Sequence, residues 1–185
     1  MIETVEGRRT VLKVDRVTLF LDGEDGGDYT TAHFALYSGQ LALVRLENLR
    51  QAASLADLFS GLTPPFDGNV FFFGRDWQTA PADTLNAMRG RIGRVFSSGS
   101  WLEGFSLIEN ILMPQLHHTR RPIPELRQEA AQLAEQFSLP GLPLGQPEKY
   151  SRADLQRSAC VRAFLGTPSL LLLEDPTFGV YPRIM

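Results

Sequence analysis

GQLALVRLENLRQAASLADLFSGL, residues 39–62, reads as a strand, a turn and a helix set end to end. The apolar run 41–44 predicts the strand, and the stretch between the anchors Gly39 and Gly61 has no glycine and no lysine in its turn. Taken alone it is an ordinary strand-to-helix connection of an α/β protein.

The same layout is that of a phosphate-binding loop, G-x-x-x-x-G-K-[ST]. There glycines let consecutive main-chain N–H groups curl around phosphate oxygens, the lysine offsets charge and the hydroxyl ligates magnesium. Counting forward from Gly39 and back from Gly61 gives one register without a gap. It places the loop on Leu46, Glu47, Asn48, Leu49, Arg50, Gln51, Ala52, Ala53 and Ser54. Ala52 then stands at the lysine position, and Glu47 puts a negative charge where phosphate would sit. The chain's only lysines are Lys13 and Lys149, so no shift of register supplies one.

With 185 residues, 43% of them hydrophobic, the chain is long enough to bury a substantial core as one domain carrying an inserted helical lobe. A net charge of −3 and scattered arginines give no electrostatic footprint for nucleic acid. The single cysteine, Cys160, lies on an apolar helix and reads as a buried structural thiol, with no disulfide or thiolate metal site available. No run approaches the ~18 apolar residues of a membrane span. The amino terminus, Met1-Ile2-Glu3-Thr4-Val5-Glu6, is too acidic for a signal peptide. Any role at a membrane is therefore expected to pass through a partner.

Residues 11–20 alternate and predict an edge strand, followed by a solvated acidic, glycine-rich turn at 22–28. Further strands are expected at 34–36, 41–44, 70–73 and 92–96, alternating with helices as in a mostly parallel sheet. From 97 to about 149 the character is helical, and 125–137 sets Leu126, Ala130, Leu133 and Phe137 along one face. His117-His118 in that region reads as a solvated pair.

The carboxy-terminal third carries an ordered series of signals. Tyr150-Ser151-Arg152-Ala153-Asp154 opens a helix that runs on through Gln156, Arg157 and Cys160 to Leu165, and Gly166-Thr167-Pro168 breaks it. A leucine strand follows and ends in Glu174-Asp175-Pro176-Thr177. This succession resembles the ATP-binding-cassette (ABC) ATPases, in which LSGGQ, a QR-containing helix, an ARAL segment and LLLLDEPT follow one another. Gly39-Gln40 resembles the GE before the phosphate-loop strand, and Gly61 to Gly68 the GLxxPxxG after its helix. Gly74-Arg75-Asp76 resembles the GxD turn, Arg89 to Phe96 the R..IG.VFQ segment, and Ile108 to Ile111 xENI. The resemblance runs from about Val11 to Pro182.

The resemblance implies a P-loop NTPase-like α/β core with a mostly parallel sheet, an antiparallel amino-terminal β part and an inserted helical subdomain. Residues 1–96 and about 150–185 form the core lobe, residues 97 to about 149 the helical one, and the carboxy-terminal part is short or missing. It also marks departures. The glutamine of VFQ is Ser97, and the signature keeps Ser151 but loses both glycines. Ser151 and Asp154 instead form an S-x-x-D helix cap, with Arg152 as an alternative phosphate donor. The Walker B pair appears in reversed order as Glu174 then Asp175, and the SGLD loop as Phe178-Gly179-Val180-Tyr181 without its aspartate. The chain stops at Met185, before the switch histidine; His33, His117 and His118 lie upstream. Phe20 or, less well, Tyr29 stands where the family stacks adenine, though an aromatic at a strand end is more commonly core packing.

Together these departures lead us to expect a non-catalytic ABC subunit with no bound cofactor and no metal. It would sit on the cytoplasmic side, peripheral at the cell membrane, by docking a transmembrane permease, as a homo- or heterodimer with another ABC ATPase. Ser97, Trp101 and Phe105 would form the docking segment. The VF.SG..L spacing of residues 95–102 is similar to the cassettes of Mce-associated lipid transporters, which points to lipid transport. The alternative is a cassette that binds or slowly hydrolyses ATP at a non-standard site. In it Arg50 or Arg45 replaces the lysine and Glu174 and Asp175 hold magnesium.

Overall fold

The computed structural model describes residues 4–5, 7–23, 26–97 and 99–180. The readings at 22–28, 96–102 and 178–181 therefore fall in part, on Glu24, Asp25, Ser98 and Tyr181, outside the described residues. The chain divides into two compact units, Met1–Arg89 and Gly90–Met185.

The first unit contains β1 (Thr4–Val5), β2 (Arg8–Gly23), β3 (Gly26–Tyr37), α1 (Leu49–Phe59), β4 (Asp67–Phe72), β5 (Arg75–Asp76) and α2 (Ala82–Arg89). Strand β2 pairs antiparallel with β1, β3 and β4, and β5 adds to β4. The edge strand expected at 11–20 is thus an interior one. The cause is burial: Val11, Leu12, Val14 and Val17 all lie in the core, and Leu12 faces Leu36 of β3 on one side and Phe72 of β4 on the other. A register shift follows Val14, with Arg16 at φ 51. Gly68, itself at φ 82, passes so close that a Cβ there would lie 2.3 Å from the Arg16 carbonyl oxygen.

Helix α1 buries Leu55, Ala56, Leu58 and Phe59, and Phe59 meets Phe34 of β3 edge to face at 5.8 Å. Its carboxy-terminal carbonyls are capped from α2: Arg89 donates to Gly61 O at 2.7 Å and to Ser60 O at 3.3 Å. The strand expected at 41–44 is absent. Leu41 is 91% exposed and Leu43 96%, and no described strand pairs with them. An apolar run becomes a buried parallel strand only when neighbours take up its main-chain groups, and among the described residues no strand does so.

The second unit contains β6 (Ile92–Val95), α3 (Leu107–His118), α4 (Ile123–Gln136), α5 (Arg152–Phe164) and β7 (Leu170–Leu173). Strands β6 and β7 form a parallel pair in the register Arg94↔Leu172. The three helices enclose a core of Leu107, Ile111, Leu126, Ala130, Ala134, Val161 and Leu165. The face read from the α4 sequence is the one buried: Leu126, Ala130 and Ala134 are fully enclosed, and Leu133 and Phe137 pack beside them.

Two local devices orient these elements. Helix α3 begins in a reciprocal cap: Ser106 accepts from the Glu109 N–H, and the Ser106 hydroxyl and N–H both donate to the Glu109 carboxylate. Those donors, the hydroxyl first, hold the Glu109 carboxyl below the usual carboxylate range, so the cap's contribution fades as pH falls through that lowered pKa. One turn on, Asn110 is 3% exposed, accepts from the Leu102 N–H at 2.7 Å and donates to main-chain carbonyls of the 102–106 loop. Helix α5 crosses β6 closely enough that a Cβ on Gly93 would lie 1.8 Å from the Ala163 carbonyl oxygen.

Two stability predictions follow from these contacts. Gly93→Ala should cost about 1–3 kcal/mol through overpacking, read as an earlier midpoint in urea unfolding. Asn110→Ala leaves the Leu102 N–H without its partner and should cost about 1–3 kcal/mol. An unchanged midpoint in either variant would contradict the packing described.

Candidate functional site

At the phosphate-loop window, α1 begins at Leu49 and two side chains bond the main chain around its start. The Asn48 side chain accepts from the Gln51 N–H at 3.0 Å, and the Gln51 side-chain oxygen accepts from the Glu47 N–H at 3.0 Å. A helix start presents unsatisfied N–H groups that are a ready anion site, and a side-chain cap occupies one of them, here the Gln51 N–H. Gln51 is 4% exposed, so its side chain is packed into the unit while it bonds the main chain. Ala52 and Ala53 are half-buried, Leu46 is half-buried before the helix, and Leu49, Arg50 and Ser54 face solvent. Helix capping thus replaces the glycine turn, which explains how the segment folds without glycine.

Phe20 belongs to an exposed aromatic cluster. Its ring lies 5.2 Å from Tyr29, which lies 5.7 Å from Phe66, and the three are 52%, 57% and 80% exposed. The core packing expected of a strand-end aromatic is therefore not what is found.

In the second unit, the carboxylate following β7 is engaged on both oxygens. Glu174 is 4% exposed, accepts from Arg94 Nε at 2.6 Å, and its other oxygen accepts from the Ser97 main-chain N–H at 3.5 Å. The parallel register explains the meeting. Arg94 stands opposite Leu172, and Glu174 follows Leu172 by two residues, which returns it to the same face. The guanidinium also lies over the Phe96 ring at 4.4 Å. Asp175 is exposed at φ 46, and its carbonyl accepts from the buried Gln156 of α5 at 3.1 Å.

The signature-equivalent residues serve α5. Ser151 accepts from the Asp154 N–H at 3.1 Å and donates to the Asp154 carboxylate at 2.7 Å, and Arg157 pairs with that carboxylate at 3.1 Å. The S-x-x-D segment is a helix cap, as the sequence predicts. Tyr150 accepts from the Gly145 N–H at 2.8 Å and packs on the helical core, and Ala153 is half-buried. Arg152 lies over the Phe178 ring at 4.7 Å.

The segment after β6 is held by an arginine that sequence reasoning passed over. Arg162 of α5 donates to Gly99 O at 2.6 Å and Ser100 O at 3.1 Å, and lies over Trp101 at 4.4 Å and Phe96 at 5.4 Å. Burial pushes its pKa down to about 10, which leaves it charged at neutral pH. Trp101 is consequently half-buried against Arg162 and the core, whereas Leu102, 49% exposed, and Phe105, 44% exposed, face outward. Of the anchors read from sequence, Phe105 is presented and Trp101 mainly supports the loop. Cys160 is buried, and burial raises its thiol pKa, as befits a structural cysteine. His117 and His118 are exposed at the end of α3.

Two residues, Arg94 and Arg162, and one pairing, the Asn48–Gln51 cap, were missed by sequence reasoning. A charged residue inside a core strand, next to the buried Val95, is a signal for Arg94, because a charge there needs a partner. Asn followed three residues later by Gln ahead of an apolar run is the signal for the cap. Nothing local marks Arg162, whose partners lie more than sixty residues away.

A family model described as ABC transporter matches residues 53–178. The chain is 31% identical over 159 residues to the lipoprotein-releasing system ATP-binding protein LolD of Idiomarina loihiensis, covering 83% of this chain and 69% of that protein. It is 29% identical over 132 residues to the intermembrane phospholipid transport system ATP-binding protein MlaF of Haemophilus influenzae, covering 71% and 50%. In these two matches the chain spans 50% to 69% of the relative's length. Among solved structures, the bacterial ABC transporter cassette MJ0796, determined as a dimer, superposes with a TM-score of 0.72 at 19% identity, over 92% of this chain and 76% of that one. The fold is that of the ABC cassettes, α/β with mixed sheets and helices, and no described helix is long and apolar enough to cross a membrane. The chain belongs to the ABC transporter family.

Proposed function

We propose that the protein is a non-catalytic ABC subunit that docks a membrane permease, as a homodimer or paired with another ABC ATPase, in a lipid or lipoprotein transport system. The observation that carries this reading is the amino terminus of α1. The Glu47 and Gln51 amides at the phosphate-loop window are taken up by Gln51 and Asn48 side chains, and the lysine position is Ala52. A triphosphate would meet filled donors and the Glu47 charge. Glu174, already paired with Arg94, does not offer magnesium a carboxylate of its own. The residues present thus fit Mg-ATP poorly, and no catalytic step is assigned to them. Likeness to LolD and MlaF supports the lipid or lipoprotein cargo, and membership in the family supports a permease partner and a peripheral position on the cytoplasmic side of the membrane.

Support for a binding role also comes from the segment after β6. Main-chain bonds from Arg162 and Asn110 fix it from two helices, so Leu102 and Phe105 are displayed on an ordered loop. A preformed surface of this kind lowers the ordering cost of association.

Thermal melting at millimolar Mg-ATP tests the first half of the reading, and no shift is expected. A rise equivalent to about 2.7 kcal/mol at ligand ~100 times its Kd would instead favour a binding cassette that uses Arg50 or Arg45. The loop has its own test. With Trp77→Phe removing the only other tryptophan, Arg162→Met should shift Trp101 emission to the red and increase its quenching by acrylamide. Unchanged emission would mean that Arg162 does not hold the loop.

A further inference from the structure

We propose that Arg94 is the resident cation of the Glu174 carboxylate, holding it in a closed pair that shuts divalent metal out of the end of β7. This rests on the non-catalytic reading above and supplies a cause for it that is independent of the phosphate-loop window.

The geometry is that of a sealed site. Arg94 Nε lies 2.6 Å from one Glu174 oxygen, and the side chains are 10% and 4% exposed. The second oxygen is occupied by the Ser97 N–H. The guanidinium carbon lies 4.4 Å from the Phe96 ring centroid, so the arginine is held by a cation–π contact as well as by charge. A buried pair of this kind is electrically neutral, and a divalent ion added beside it would bring two uncompensated charges into a desolvated place. Magnesium also surrenders its water reluctantly and asks for carboxylate oxygens in near-octahedral order. Here one oxygen is held by Arg94 at 2.6 Å and the other accepts more weakly from the Ser97 N–H at 3.5 Å. Asp175 is the neighbouring carboxylate, but it is exposed and its backbone is held by Gln156 in a left-handed turn, so it does not supply a second ligand in place of Glu174.

Removing the guanidinium should convert the exclusion into a requirement. Glu174 would then be a buried carboxylate without a counter-ion, and a metal ion is the mobile species best suited to supply one. Thermal unfolding of the purified chain with MgCl2, against NaCl at matched ionic strength, reads this directly. The wild-type Tm should respond equally to the two salts. Arg94→Met should melt lower than wild type and recover specifically with magnesium, by about 5 °C at metal ~100 times its Kd. Adding Glu174→Gln to Arg94→Met should abolish the magnesium-specific recovery, and Arg94→Lys should stay indifferent to magnesium. Arg94→Gln, which still donates to the carboxylate, carries the same test should methionine not fold. Folded Arg94→Met or Arg94→Gln that answers magnesium no better than sodium overturns the proposal. Failure of both variants to fold at any magnesium concentration overturns it as well, since a replacement cation should restore the fold. A wild-type response to Mg-ATP alone would count against the non-catalytic reading, not against this one, so the two fail separately.

Discussion

A carboxylate buried at the end of a parallel strand has to find positive charge, because isolated ionised groups are costly in a desolvated interior. In the Gly90–Met185 unit, Glu174 finds it on the neighbouring strand, and the chain on either side is organised by that meeting. The Arg94 side chain is drawn inward from a strand whose other residues are apolar or glycine, Phe96 is placed beneath it, and the Ser97 N–H is turned toward the same carboxylate. Removing one member of such a buried pair costs about 3–5 kcal/mol, more than the pair itself contributes relative to an apolar replacement. The pair therefore makes a single arrangement of the β6 and β7 ends preferable to its alternatives.

Helix α5 extends that order to two loops. Its amino-terminal half holds the segment after β7, with Gln156 on the Asp175 carbonyl and Arg152 over Phe178, and its carboxy-terminal half holds the segment after β6 through Arg162. The helix reaches both because it lies against β6 at the contact distance that only Gly93 permits. Loops tied to one rigid element keep their relative positions, and displaying a surface to a partner requires nothing more.

The sequence was most legible where local pattern and tertiary burial agree. Leu126 and Ala130 mark the buried face of α4, Ser151 and Asp154 cap α5, and the leucine run of β7 pairs in parallel with β6, all as their spacing predicts. It was least legible where a partner decides the outcome. Residues 41–44 have the composition of a buried strand, yet composition supplies no neighbour, and Leu41 and Leu43 are almost fully exposed. Residues 11–20 alternate like an edge, but alternation describes the two faces of a strand and says nothing of its two sides, and β2 is paired on both. Trp101 read as an exposed anchor because the arginine that covers it comes from a helix far along the chain. The candidate site was legible as a set of positions; the contacts that close those positions, Asn48 with Gln51 and Arg94 with Glu174, are side-chain pairings that a motif comparison does not score.

Those two closures have a common logic. A chain that turns into a helix without glycine leaves main-chain N–H groups needing acceptors, and a carboxylate buried at a strand end needs a cation. In each place a side chain fills the need: Asn48 accepts from the Gln51 N–H, Gln51 from the Glu47 N–H, and Arg94 donates to Glu174. Left unpaired, such groups would cost about 1–3 kcal/mol each when buried, and more for a charge, and pairing within the chain removes that penalty.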